Sequence, residues 1–130
     1  MSFHVFFNAI SFLFKVLPQI LQFSFGEEPL NSGEMLSISC TIIKGDLPVE
    51  FVWTFNEKVI PLDSSDVSIV VSKRVSFLSI DSVAAKHAGK YKCIATNRAG
   101  SDSHIAVLAV NGIILEIKYS SCAFDLLLQL

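Results

Sequence analysis

Six side chains in this 130-residue sequence are of the types that carry covalent, acid–base or metal chemistry: Cys40, Cys93 and Cys122, and His4, His87 and His104. A histidine beside a cysteine is the arrangement of a nucleophile and its base, and His87 precedes Cys93 by six positions. The alternation of side chains around Cys93 does not bring the two to one cleft, so His87 reads as a satisfied surface or turn histidine. No His-x-x-x-His pair offers metal ligands, and Gly-x-Ser-x-Gly, the P-loop and Gly-x-Gly-x-x-Gly are absent. Glu27–Glu28 reads as a solvated edge, and charge there also discourages strand-to-strand aggregation. The sequence thus predicts no enzyme, no metal and no cofactor. Cys40 and Cys93 retain two chemistries: a disulfide, or two buried thiols packing as small hydrophobes.

The elements that must position these cysteines are short strands. Met35–Ile43 alternates, with Leu36, Ile38, Cys40 and Ile42 on one face and Ser37, Ser39 and Thr41 on the other. A period of two marks a half-buried strand. Phe51, Trp53 and Phe55 alternate with Val52 and Thr54; Ser76, Leu78 and Ile80 form a third set, Tyr91, Cys93 and Ala95 a fourth, and Ala106, Leu108 and Val110 a fifth. Turn-forming residues separate them at Asn31–Gly33, Lys44–Pro48, Asp63–Asp66 and Asn97–Gly100. Short strands with turn chemistry every 8–12 residues predict a β-sandwich or barrel, and no segment reads as a helix longer than one turn.

The net charge is −2, and the basic patch of a nucleic-acid binder is absent. The hydrophobic fraction of 52% is concentrated at the ends. Met1–Leu17 holds five of the eleven Phe and has the apolar run of a secretory signal, without its basic start or small-residue cleavage site. It reads as a poor signal peptide or a non-native extension. Residues 113–130 form a second apolar extension, too short and too charged to span a bilayer, and contain the third cysteine, Cys122, which reads as incidental or as a free thiol able to cross-link. Residues 18–112 have ordinary globular composition and form the predicted domain. No Asn-x-Ser/Thr occurs, so no N-glycan covers its faces.

Trp53 lies thirteen positions after Cys40, and Tyr91 two before Cys93. This pattern, with Leu78-Ser79-Ile80, Val83, His87-Ala88-Gly89-Lys90-Tyr91-Lys92-Cys93 and Ala95-Thr96-Asn97-Arg98-Ala99-Gly100, resembles an I-set immunoglobulin domain. The resemblance implies an all-β sandwich of two antiparallel sheets, a Cys40–Cys93 disulfide between them, Trp53 and Leu78 in the core and a tyrosine corner at Tyr91. It also implies an oxidising compartment. His87 stands where the family has an aspartate that pairs with an arginine across the sandwich floor, which leaves Arg74 to solvent. Pro18-Gln19-Ile20-Leu21, Phe25-Gly26-Glu27-Glu28-Pro29, Lys44-Gly45-Asp46-Leu47-Pro48 and Phe77–Val83 are similar to the arthropod Down syndrome cell adhesion molecule family, in particular its alternatively spliced seventh immunoglobulin domain.

That likeness implies a recognition module on the extracellular side of the plasma membrane, or a secreted fragment of one. Its partner would be the same isoform, bound homophilically through one sheet face in neuronal self-recognition and axon guidance, with the membrane reached only through a parent receptor. A structural I-set spacer of a filament-type protein and an immune receptor domain binding microbial surfaces are the alternatives. Independently of the likeness, alternation turns Val75 and Phe77 outward, and Ile69 facing in places Val70 outward. Val70, Val75 and Phe77 are therefore the candidate homophilic face, since a clustered apolar patch often marks a partner site. The competing expectation packs Phe77 beneath the Asp63–Asp66 loop or the N-terminal strand.

Overall fold

A computed structural model describes residues 15–111; the expectations for residues 1–14 and 112–130, including Cys122 and most of both apolar ends, lie outside the described residues. Eight strands follow in order: β1 (Gln19–Ile20), β2 (Leu36–Lys44), β3 (Glu50–Phe55), β4 (Lys58–Val59), β5 (Ser68–Val71), β6 (Val75–Ile80), β7 (Gly89–Asn97) and β8 (Gly100–Leu108), with one 3-10 turn at Ala85–His87. They form two four-stranded sheets, ordered β1-β2-β6-β5 and β4-β3-β7-β8, and every strand pair is antiparallel.

The alternation seen in the sequence builds the interior. Leu36, Ile38, Cys40 and Ile42 of β2 and Ser76, Leu78 and Ile80 of β6 point in from one sheet; Trp53, Tyr91, Cys93, Ala95, Ala106 and Leu108 meet them from the other. Phe51 and Phe55 pack against this core while remaining half-buried. Thr54 departs from the alternation: it is buried on the opposite side of β3, between Val59 and Lys92 in register.

The centre of the sandwich is a closed ring of ties. Cys40 sits opposite Ser76 within one sheet, and Trp53 opposite Cys93 within the other. Between the sheets, Cys40 and Cys93 are joined by a disulfide with S–S 2.05 Å, and Trp53 Nε1 donates to Ser76 Oγ at 2.8 Å. One link is covalent and the other satisfies the indole N–H that burial would otherwise strand.

Turns close the strands with specific chemistry. Asn56 and Glu57 both have positive φ, 48° and 71°, the backbone of the two-residue turn that matches strand twist. At the β7–β8 hairpin, Asn97 Oδ1 accepts from the Ala99 and Gly100 N–H groups, an Asx-type closure. Gly89 is required by close approach: at φ +154°, a Cβ would lie 2.6 Å from Asn56 Oδ1 and 2.8 Å from the Phe55 ring.

The folded unit begins before Pro18. Val16 N–H donates to Asp46 Oδ2 at 2.9 Å, and the Val16 carbonyl accepts from Asp46 N–H and Asn97 Nδ2. The segment crosses Gly45, whose φ is +133° and where a Cβ would sit 2.7 Å from Pro18 Cα. Val16, read from composition as part of an apolar extension, is thus tied into the domain by its backbone groups, and Leu17 follows with its carbonyl beside Gly45 and its side chain beside Gly100.

Candidate functional site

The outward face of the β1-β2-β6-β5 sheet is a grid of paired residues. Across β2, β6 and β5 the rows read Ser37–Ser79–Ser68 and Ser39–Phe77–Val70; a third begins Thr41–Val75 and ends at Ser72. None of these side chains is charged. Phe77 and Val70 are directly cross-strand and stay exposed, at 44% and 59%. Cross-strand Cβ atoms sit about 5 Å apart, so the two form one apolar surface. Val75 adjoins it and is half-buried. Packing of Phe77 beneath the Asp63–Asp66 loop or the N-terminal strand is not what the structure holds: the residue keeps its exposure in mid-strand, between Ser39 and Val70. Two residues not singled out from sequence extend the strip. Ile43, next outward on β2 after Thr41, and Leu21, whose N–H donates to the Thr41 carbonyl, are both exposed and line one shallow depression. The alternation of β2 carried the signal for Ile43.

At the floor of the sandwich His87 is the satisfied turn histidine, on the 3-10 turn Ala85–His87, and not the surface one. It is 4% exposed rather than at the surface. Its Nδ1 accepts from Ala84 N–H at 2.9 Å, which leaves the Nε2–H to donate to Asp66 Oδ2 at 2.8 Å. The family's expected aspartate–arginine pair is therefore reversed in placement, with the carboxylate on the loop before β5 and the nitrogen partner on the 3-10 turn. Lys86 Nζ stands 3.3 Å from the same oxygen. Partial burial would raise the Asp66 carboxyl, but hydrogen bonds from His87 and Lys86 outweigh it and hold the group below its usual 3.8. Arg74, expected to be free in solvent, donates to the Gly45 carbonyl at 3.1 Å while exposed.

Tyr91 Oη donates to the His87 carbonyl at 2.7 Å, closing the corner from the other strand. Burial, and then the Asp66 charge, push its phenol well above the ordinary range. Together His87, Asp66 and Tyr91 border a cavity of ≈ 230 Å³ with Phe55, Val67 and Lys86. No group of three or more metal-ligating side chains lies together among the described residues, and no helix there is long and apolar enough to cross a membrane.

Two sheets, one inter-sheet disulfide against a buried tryptophan and a tyrosine corner define an architecture, and residues 18–97 match the sequence model described as "Immunoglobulin domain". The chain belongs to the immunoglobulin domain family. It is a non-enzymatic family. Among relatives, the chain is 46% identical over 97 residues to the cell adhesion molecule Dscam1 of Drosophila melanogaster, and 38% identical over 96 residues to human cell adhesion molecule DSCAML1; each alignment covers 74% of this chain. It spans only about 5% of the Dscam1 length and 4% of that of DSCAML1. Crystal structures of the Dscam1 Ig7 domain are similar in both sequence and shape. Isoform 5 has 39% identity and a TM-score of 0.71, with 74% of this chain and 98% of that one covered; isoform 9 has 46% identity and a TM-score of 0.67, with 72% and 98% covered. An I-band fragment of titin, I67–I69, has 26% identity and a TM-score of 0.64 over 72% of this chain and 32% of that one.

Proposed function

We propose that this immunoglobulin domain is a homophilic recognition module on the extracellular side of a cell adhesion receptor, binding a second copy of itself through the outward face of β1-β2-β6-β5. The observation that carries the reading is the Phe77–Val70 pair, exposed in mid-sheet and framed by Ser39, Ser68, Ser79 and half-buried Val75. A twofold contact presents the same patch from both partners. A face with no charge can meet its own copy without like-charge repulsion, and an aromatic anchor supplies the desolvated contact area. The likeness to Dscam1 Ig7 and to cell adhesion molecules supports the receptor context. The disulfide supports an oxidising one. Role in neuronal self-recognition and axon guidance belongs to the same reading.

Phe77→Asp tests it. The change adds a charge at a position outside the core, so the thermal melt stays close to that of the parent while self-association measured by sedimentation falls at least tenfold, since burying an unpaired carboxylate in each half of the contact costs more than about 1.4 kcal/mol. Equal self-association of the two proteins refutes the reading.

A further inference from the structure

Two open sheets have four edges, and three of them are guarded. β8 is flanked by the N-terminal segment: Ile20 N–H donates to Asp102 Oδ2, His104 Nε2 meets the Phe23 carbonyl at 2.7 Å, and just past the strand Leu30 N–H donates to the Ala109 carbonyl and Asn111 N–H to the Leu30 carbonyl. β4 is two residues long and carries Lys58. β1 is also two residues long and follows Pro18. Short strands, lysine and proline are the devices that blunt an edge. β5 is longer than β1 or β4 and holds no lysine or proline within the strand. Ser68-Ile69-Val70-Val71 is uncharged, contains three β-branched residues and ends its sheet.

The hydrogen bonding of β5 decides what it offers. Ser72 N–H donates to the Val75 carbonyl at 2.7 Å at the turn into β6. Backbone direction alternates along an antiparallel strand, so Ser68, Val70 and Ser72 face β6. Ile69 and Val71 direct their N–H and C=O groups away from the sheet.

The flanking sequence reads nearly the same in both directions about Val70: Ser68-Ile69-Val70-Val71-Ser72, with Asp66 at one end and Lys73-Arg74 at the other. We infer that β5 pairs antiparallel with β5 of a second copy about a twofold axis at Val70, joining the two sheets into one of eight strands. In that register Ile69 and Val71 exchange backbone hydrogen bonds with the partner's Val71 and Ile69, and Ser68 stands opposite the partner's Ser72. The acidic end of each strand meets the basic turn of the other twice; a parallel arrangement would place like charges together. Val70 meets its own copy, and since Phe77 pairs with Val70, the row becomes Phe77–Val70–Val70–Phe77 across the axis. The two exposed patches merge into one apolar surface. The pairing closes after two copies and does not depend on the face-to-face contact proposed above.

Cross-linking in the full chain, in a Cys122→Ser background, tests it. A non-hydrogen-bonded antiparallel pair holds its Cα atoms about 4.5 Å apart, within the 4.4–6.8 Å range that a disulfide spans. Val70→Cys is therefore expected to give on the order of tenfold more disulfide dimer than Val71→Cys, whose partner is residue 69. Val71→Pro, added to Val70→Cys, removes an outward N–H and no bond within the domain, and abolishes the dimer. Phe77→Ser, added instead, leaves it. Arg74→Asp lowers it independently, and serves if the proline variant melts early. No dimer at 70, or equal dimer at 70 and 71, overturns the pairing. So does a dimer lost with Phe77→Ser and kept with both Val71→Pro and Arg74→Asp, which assigns the cross-link to the face contact.

Discussion

Ser76→Ala probes the ring of ties at the centre of the sandwich. Ser76 is fully buried and Trp53 is 2% exposed, and the bond between them is 2.8 Å long. Alanine retains the Cβ and suits a buried strand position, so the principal change is an indole N–H left without an acceptor. A stranded buried donor costs about 1–3 kcal/mol. The oxygen-sized void, on the order of 10 Å³, adds only ~0.2 kcal/mol at about 24 cal/mol per Å³ and cannot hold a water that would rescue the donor. For a domain of this size the loss corresponds to a fall in Tm of roughly 5–20 °C. Urea unfolding followed by Trp53 fluorescence measures it cleanly, because Trp53 is the sole tryptophan. Combining Ser76→Ala with Trp53→Phe should recover about 1 kcal/mol of the summed single losses, the signature of two side chains acting as one unit. A Ser76→Ala protein within about 0.5 kcal/mol of the parent, or purely additive losses, would refute the claim that this bond ties the sheets. The result bears on recognition, since Ser76 anchors inward the strand whose neighbours Val75 and Phe77 face out.

Two further outcomes follow from named groups. Because the Asp66 carboxyl is held below 3.8 in the folded state, its contribution to stability is present above that pH and is lost as pH falls through the lowered folded value; chemical-denaturation curves of Asp66→Asn should differ from the parent at neutral pH and converge with it as acid protonates the carboxyl in both states. Opening the Cys40–Cys93 bond, which closes a separation of 53 residues, should lower stability by about 4 kcal/mol in the chain-entropy model, seen as a drop in the urea midpoint of the Cys40→Ala/Cys93→Ala protein.

Periodicity made the sheets legible. Every inward residue of β2 and β6 was marked by its parity, because one buried face against one solvated face leaves a period of two. It also marked Phe77 and Val70 as outward. What escaped the sequence is governed by contacts between distant segments. The acceptor for His87 Nε2–H is Asp66, 21 residues away, and only the closed sandwich brings the loop before β5 beneath the 3-10 turn. The β3–β4 turn has Asn56 at φ 48°, which favours such a backbone, but Glu57 at φ 71° stands where glycine usually completes the signal, so the sequence announced only half of it. Val16 is held through its backbone, which composition cannot show.

Salt separates the two self-contacts that this fold presents. The face grid has no charged side chain in its paired rows, whereas the β5 edge is flanked by Asp66 and by Lys73 and Arg74. Raising ionic strength from 0.1 M to 1 M shortens the screening length from about 10 Å to about 3 Å. Contact through the face, isolated in a Val71→Pro chain, should keep its dissociation constant within about twofold, because apolar burial is not screened. Contact through the edge, isolated in a Phe77→Ser chain that adds no charge, loses two exposed ion pairs at about 0.2–1 kcal/mol each. That is a weakening of roughly 2- to 30-fold by 1 M salt. Sedimentation of the two chains at both salt concentrations gives the comparison. If the Val71→Pro chain weakens with salt as much as the Phe77→Ser chain does, the self-binding of this domain is electrostatic, and the neutral Phe77–Val70 surface is not where it occurs.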